Sequence, residues 1–152
     1  NLVKVEDLLE EIIISFEETS EKRITLSESG DKNKINIKRS PEIVYGLRNF
    51  IGNAIKFADE EVVIKLISDD KNLVLLINDD GPGYSEDIIK FIGEPYLKSK
   101  SKKISSKAGL GLGIFLGKTL LERKKAQLTF SNNEDLKGAL VKITWNILDI
   151  KN

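Results

Sequence analysis

The amino-acid sequence predicts a two-layer α/β (α+β) sandwich, in which helices cover one face of a mixed β-sheet. Segments with helical hydrophobic spacing are separated by pairs of strand-like segments, an order that argues against a doubly wound parallel sheet. Residues 73–77 (LVLLI) are nearly all apolar, which is typical of a strand at the centre of a sheet. The chain has 152 residues, 40% of them hydrophobic, which is enough for one domain with its own core.

The first third of the chain is predicted to contain two helices and a hairpin. Residues 5–19 carry apolar side chains at helical spacing and acidic ones on the other face, which predicts an amphipathic helix. Residues 23–26 and 34–37 are typical of short strands, and the turn-rich sequence SESGDKN between them predicts a hairpin. Ser40 followed by Pro41 predicts the start of the second helix, because serine is a good N-cap and proline suits the first helical position.

The rest of the chain is predicted to contain four strands, two helices and one long loop. The loop comprises residues 93–107, which are rich in lysine and serine. The predicted elements around it are 61–68 (strand), 73–78 (strand), 85–92 (short helix), 111–125 (helix), 127–132 (strand) and 139–147 (strand).

Composition excludes several kinds of chemistry. The chain has no cysteine and no histidine, so disulfides, zinc–thiolate sites, cysteine nucleophiles and Ser-His-Asp triads are all ruled out. Lysine plus arginine equals aspartate plus glutamate, at 24 each, so we expect neither nucleic acid nor an anionic membrane as the main partner. No segment approaches the ~20 apolar residues of a membrane span.

A glycine run lies where the lysine-rich loop enters a helix. With glycine at positions 109, 111 and 113, main-chain N–H groups at the start of a helix could approach a phosphate closely. The alternative is a flexible hinge whose small residues serve packing. The spacing matches neither a P-loop nor a dinucleotide-binding GxGxxG motif, because leucine occupies positions 112 and 116.

A second motif begins at Asp79, at the end of the presumed central strand, and continues as DGPG. The tight turn would leave this carboxylate at the edge of a pocket, where it could accept hydrogen bonds from an exocyclic amine such as that of adenine. The alternative is a plain surface turn, which this sequence would also form.

A third motif lies on the second helix, where Asn49 and Asn53 are one turn apart and Lys56 follows a turn later. An asparagine oxygen is a hard ligand that suits Mg²⁺, which usually takes few protein ligands together with phosphate oxygens. Lys56 could then meet the phosphates. The alternative is a solvated helix face.

Together these motifs resemble the ATP-binding fold shared by histidine kinases, type II topoisomerases, the Hsp90 chaperones and MutL, known as the GHKL or Bergerat fold. The similarity covers about residues 1–148. Within this superfamily the chain resembles the catalytic domains of sensor histidine kinases, most of all the redox-responsive RegB/PrrB type. The sequences that carry this closer likeness are PEIVYGLRNFIGNAIKFA, DDGPGYS, GEPYLKSK, GLGLGIFLGKTLLERKKA and GALVKITW.

The resemblance implies a role for residues of each motif. Asn49, Asn53 and Lys56 would be catalytic, with Asn53 as the Mg²⁺ ligand and Lys56 at the phosphates. Asp79 would bind the adenine amine. The ATP-binding residues implied in this way are Asn53, Lys56, Phe57, Asp79, Gly81, Gly83, Tyr96, Lys98, Lys100, Gly109, Leu110, Gly111, Leu112 and Gly113.

The resemblance also separates a kinase from an ATPase. ATP-hydrolysing members carry a glutamate four residues before the Mg²⁺ asparagine, and here that position is Asn49. We therefore expect a protein-histidine kinase domain that binds ATP and Mg²⁺ and gives the γ-phosphate to a histidine elsewhere. Because the chain has no histidine, it should not autophosphorylate. An anti-sigma-factor-like serine kinase and a non-catalytic ATP-sensing module are the alternatives.

A chain without methionine that starts at Asn1 is expected to be a fragment of a longer protein. Residues 1–20 would be a linker helix after a missing dimerisation hairpin, and residues 21–152 the ATP-binding domain, with a lid over about 93–112. The expected partners are that upstream histidine-phosphotransfer domain and, indirectly, a response regulator. We expect no direct contact with the membrane. The isolated domain would be a cytoplasmic monomer, and the full-length protein a homodimer anchored in the bacterial inner membrane.

Overall fold

The computed structural model describes residues 2–30, 35–92 and 112–151. Within these ranges, no helix combines the length and the apolar character needed to cross a membrane. The elements in chain order are β1 (Leu2–Lys4), α1 (Val5–Glu17), β2 (Arg23–Gly30), β3 (Asn36–Lys38), α2 (Pro41–Phe57), β4 (Glu61–Ser68), β5 (Asn72–Asp79), α3 (Glu86–Ile89), α4 (Leu112–Glu122), β6 (Gln127–Asn132), β7 (Ala139–Asn146) and α5 (Ile147–Ile150).

The main sheet has five strands in the order β2-β4-β5-β7-β6. β2 pairs with β4 in parallel, and the other neighbours are antiparallel. The predicted mixed sheet is therefore confirmed, and β5 is its central strand. Alternate residues of the inner strands are buried, among them Val62, Ile64, Leu73, Leu75 and Ile77. That period of two shows that one face of the sheet carries the core.

Helices α1, α2 and α4 cover that buried face. α2 contacts α4 extensively and also packs on β4 and β5. The predicted N-cap is confirmed, since Ser40 Oγ accepts from the N–H of Ile43 at 3.3 Å. At the other end, Lys22 Nζ donates to the main-chain oxygen of Ile55 at 2.6 Å. This contact ties the last turn of α2 to the residue just before β2.

The first helix belongs to the same core. α1 buries Leu8, Leu9 and Ile12 almost completely, and these residues belong to the same hydrophobic cluster as the residues of the main sheet. Arg48 of α2 connects the two helices, because its guanidinium donates to Ser15 Oγ at 2.9 Å and lies 4.9 Å from the centre of the Phe16 ring. The predicted helix over 5–19 is confirmed with its end at Glu17.

The predicted hairpin between residues 23–26 and 34–37 is wrong. β2 continues to Gly30 and pairs with β4, from Arg23 opposite Glu61 to Gly30 opposite Ser68. β3 instead pairs with β1 in a separate two-stranded sheet. The two segments thus belong to different sheets, although a turn-rich sequence separates them.

The remaining elements agree with the predictions except at their ends. The strands 61–68 and 127–132 have the predicted bounds, and β6 and β7 form the predicted closing hairpin. The helix predicted over 85–92 is only Glu86–Ile89, although Ser85 does cap it through Oγ at 3.3 Å from the N–H of Ile88. α4 covers Leu112–Glu122 of the predicted 111–125. The predicted loop over 93–107 lies outside the described residues.

Candidate functional site

A cavity of about 520 Å³ lies between α2 and the sheet, and residues of α3 and α4 also line it. Its walls are mostly apolar, with a small number of polar side chains. A concave site of this size and composition is typical of a small-molecule ligand site. The residues that line it are Phe50, Asn53, Ala54, Phe57, Ile77, Asp79, Pro82, Gly83, Tyr84, Ser85, Ile88, Ile114, Ala139 and Val141.

Asp79 provides the carboxylate of this cavity. Its side chain is only 4% exposed, and Oδ1 accepts from the N–H of Gly81 at 2.9 Å and of Ala139 at 3.2 Å. Burial raises its pKa, these two N–H groups act in the opposite direction, and the charges of Asp80 and Asp59 raise it further. Both hydrogen bonds to described residues use Oδ1, so Oδ2 is left to accept from a ligand.

The main chain at Gly138 passes directly against Asp79. A Cβ at position 138 would collide with the main-chain oxygen and with Oδ1 of Asp79. Glycine is therefore required here for the start of β7 to come close enough for the N–H of Ala139 to reach the carboxylate.

The two asparagines of α2 differ in their surroundings. Asn53 lines the cavity, and its Nδ2 is buried without a hydrogen-bond partner among the described residues. Asn49 Nδ2 donates to the main-chain oxygen of Tyr45 at 3.0 Å, which leaves Oδ1 available. Because the two ends of a carboxamide have nearly the same shape, Asn53 can present either of them to a ligand.

These side chains suit Mg²⁺ bound together with an anionic ligand. The described residues contain no group of three or more acidic, histidine or cysteine side chains that could hold a metal ion alone. Mg²⁺ commonly takes one or two protein oxygens, with phosphate oxygens and waters completing the coordination. The donor set of Asn53 and Asn49 fits that requirement.

The structure brings together Asn53, Phe57, Asp79 and Gly83, all of which line one cavity. Two further predicted residues, Leu112 and Gly113, lie in the first turn of α4. Asn49 and Lys56 lie on α2 outside the cavity wall, and Lys56 is exposed with Nζ 5.4 Å from the centre of the Phe57 ring. Tyr96, Lys98, Lys100, Gly109, Leu110 and Gly111 lie outside the described residues.

Sequence reasoning missed four residues that shape the site. Tyr84 lines the cavity, and Asn132 and Asn133 bind the main chain around it and around Asp79. Asp80 Oδ1 accepts from the N–H groups of residues 59, 60 and 61 at 2.8, 3.0 and 3.2 Å, which ties the turn after β5 to the start of β4. For Asn132 and Asn133, the one signal in the sequence was a pair of asparagines at the end of a predicted strand.

Most of the chain is similar in sequence to known proteins. Residues 38–148 match the family described as histidine kinase-, DNA gyrase B-, and HSP90-like ATPase. The sensor histidine kinase RegB of Cereibacter sphaeroides is 38% identical over 136 residues, which cover 80% of this chain and 29% of RegB. The chain therefore spans less than a third of the length of that relative.

Two solved structures share the fold. The catalytic domain of the histidine kinase ThkA superposes with a TM-score of 0.77 at 18% identity, over 96% of this chain and 95% of that domain. Full-length ShkA, solved in complex with AMPPNP, gives a TM-score of 0.70 at 22% identity, over 95% of this chain and 30% of ShkA. At these identities the likeness establishes the fold alone.

Proposed function

Because the chain belongs to the histidine kinase-, DNA gyrase B-, and HSP90-like ATPase family, we propose that it is the ATP-binding kinase domain of a two-component sensor histidine kinase. The relative RegB, matched over 80% of the chain, is a sensor histidine kinase, which supports this branch of the family. The chain would transfer the γ-phosphate of ATP to a histidine outside it, since it contains none.

The observation that carries this proposal is that Asp79 and Asn53 meet at one cavity although they lie 26 positions apart in the chain. Oδ2 of Asp79 would accept from the adenine amine, and the apolar walls, with Phe57 and Tyr84, would cover the faces of the base. Burial of a carboxylate is unfavourable, so a ligand that pairs with it gains affinity and specificity.

The phosphates would lie toward the exposed end of the cavity. Asn53, with Asn49 beside it, would hold Mg²⁺, and Lys56 would contact phosphate. When bound, Mg²⁺ supplies charge neutralisation and alignment of the phosphate oxygens. The first turn of α4, at Leu112 and Gly113, would offer main-chain N–H groups and the positive end of the helix dipole. The predicted roles of residues 96–111 remain proposals.

Phosphoryl transfer is favoured over hydrolysis by the charges around the cavity. Asp79 is the only carboxylate among the described residues that line it, and in this proposal it binds the base of the nucleotide. One turn before Asn53, where hydrolytic relatives would need a general base for water, the side chain is Asn49. The domain would therefore preserve the terminal phosphate until a histidine acceptor approaches.

The wider arrangement follows from the same proposal. Residues 1–20 would connect to an upstream dimerisation domain that carries the histidine, and residues 21–152, with a lid over about 93–112, would form the kinase domain. A response regulator would receive the phosphoryl group afterwards. The full-length protein would be a homodimer of the RegB/PrrB type, anchored in the bacterial inner membrane, with this domain in the cytoplasm.

The test combines this chain with the dimerisation domain of its full-length protein, Mg²⁺ and γ-labelled ATP. We expect acid-labile label on the dimerisation domain, and Asn53→Ala should abolish it. Asn36→Ala is the matched control, because Asn36 lies in β3 and does not line the cavity. Stable label on the isolated chain, acid-stable label on the acceptor, or full transfer by Asn53→Ala would contradict the proposal.

A further inference from the structure

Two consecutive asparagines at the end of the β6 strand join the walls of the cavity through their side chains. Asn132 Oδ1 accepts from the N–H of Tyr84 at 2.7 Å, and its Nδ2 donates to the carbonyl of Tyr84 at 2.9 Å. One carboxamide thus satisfies both main-chain groups of a residue 48 positions away in the irregular segment between β5 and α3. Since Tyr84 lines the cavity, Asn132 fixes the main chain that carries its ring.

The turn is shaped to admit this carboxamide. Gly83 has a φ of +76°, and a Cβ at that position would lie 2.7 Å from Asn132 Oδ1. Glycine relieves both the backbone strain and the collision, so Asn132 can reach the main chain of the next residue.

Asn133 acts on the other polar group of the cavity. Its Nδ2 donates to the main-chain oxygens of Asp79 and Ala139, both at 3.1 Å, and its Oδ1 accepts from the N–H of Leu136 at 2.6 Å. Ala139 is itself a donor to Asp79 Oδ1. Asn133 therefore holds the main chain of the carboxylate residue together with that of one of its two donors.

We infer that Asn132 and Asn133 are positioning residues that determine how strictly the cavity discriminates adenine from guanine nucleotides. This inference rests on the proposed function. Adenine carries an amine where guanine carries a carbonyl oxygen, so a carboxylate attracts the first base and repels the second. That difference depends on a carboxylate and an aromatic wall held in fixed places, and these two side chains hold the main chain of both.

The experiment measures the dissociation constants of ATP and GTP by titration calorimetry, together with thermal stability, for the wild-type chain and three variants. Asn133→Ala removes the hydrogen bonds that position the main chain of Asp79 and should thereby weaken the contact of Asp79 with ATP. We expect ATP binding to weaken about three- to tenfold, as if one hydrogen bond to the ligand were lost, and the preference for ATP over GTP to fall. Asn132→Asp retains the acceptor for the N–H of Tyr84 but sets a carboxylate against its carbonyl. Asn132→Asp should also lower the preference for ATP over GTP, although it changes the size of the side chain less than Asn133→Ala does.

The matched control is Asn146→Ala. Asn146 Oδ1 accepts from the N–H of Leu148 at 2.9 Å at the far end of β7, so its loss should lower stability without changing the ATP to GTP ratio. The inference is overturned if Asn132→Asp or Asn133→Ala is folded and keeps the wild-type ratio of ATP to GTP affinity. It is also overturned if Asn146→Ala changes this ratio as much as those two variants do. If the wild-type chain binds no nucleotide, the proposed function itself fails.

Discussion

Replacing Asp79 by asparagine should weaken ATP binding while leaving the fold intact. Asparagine has nearly the same shape, and its Oδ1 can still accept from the N–H groups of Gly81 and Ala139. Its Nδ2, however, would face the adenine amine, so two donors would meet where a carboxylate now accepts. Loss of a charge-assisted hydrogen bond costs about 1.5–3 kcal/mol, which corresponds to roughly 10- to 150-fold weaker binding.

The same substitution, which weakens ATP binding, should increase the stability of the fold at neutral pH. The pKa of Asp79 is raised above its ordinary 3.8, chiefly by burial. A raised pKa means that the folded state binds the protonated carboxyl more favourably than the unfolded state does. The protonated carboxyl therefore contributes its full stabilisation of the fold below pH 3.8, and this stabilisation is lost as pH rises through the raised pKa. The carboxamide of the variant would carry no charge at any pH, so Asp79→Asn should gain stability over wild type as pH increases.

Two measurements test this reasoning on one pair of proteins. Titration calorimetry near neutral pH gives the ATP affinity, and urea denaturation between about pH 4 and pH 8 gives the free energy of unfolding. Asp135→Asn, at an exposed position in the β6–β7 connection, makes the same charge change and should leave ATP affinity close to wild type. The reasoning is refuted if Asp79→Asn binds ATP normally or if wild type gains stability over the variant as pH rises.

Two further substitutions test the contacts around this carboxylate. Asp80→Ala removes the acceptor of three main-chain N–H groups that are largely open to water and should cost about 0.5–1.5 kcal/mol in urea denaturation. Although burial acts to raise the pKa of Asp80, main-chain hydrogen bonds lower it overall, so this loss should shrink as pH falls through the lowered pKa. Gly138→Ala places a methyl group against the main chain of Asp79 and should lower the unfolding free energy by about 1–3 kcal/mol. Gly113→Ala, with open space around it among the described residues, should instead be neutral or stabilising by up to ~1 kcal/mol; equal losses in both glycine variants would exclude the steric explanation.

The sequence predicted the local elements well and one strand pairing wrongly. Helix α2 and the strands β4 and β5 follow from apolar spacing and capping residues alone, because these signals depend on neighbours in the chain. The pairing of β2 with β4 cannot be derived from such local signals. Its second half, Ser27–Gly30, is polar and turn-like in sequence, yet it lies at the edge of the sheet beside β4. An edge strand exposes much of its surface to water, so polar residues did not distinguish a strand from a turn.

The site divides in the same way. Asn53, Asp79 and the glycines after it belong to short motifs through which the sequence resembles a known ATP-binding fold, and the structure places Asn53 and Asp79 on one cavity. Asn132 and Asn133 act through hydrogen bonds to residues 48 and 54 positions away. No local pattern specifies such a partner, because asparagine at a strand end is equally typical of a turn.

The two adjacent aspartates show how the strand register decides which carboxylate faces the cavity. Leu73, Leu75 and Ile77 are buried on the inner face of β5, and since successive side chains point to opposite faces, Asp79 follows them into the cavity. Asp80 comes one residue later and turns to the main chain of residues 59–61. Two aspartates that are adjacent in the chain therefore have shifted pKa values of opposite sign, raised for Asp79 and lowered for Asp80. The period of two along LVLLIND, which is visible in the sequence, thus predicts that the first aspartate shares the buried face of β5 with Leu73, Leu75 and Ile77.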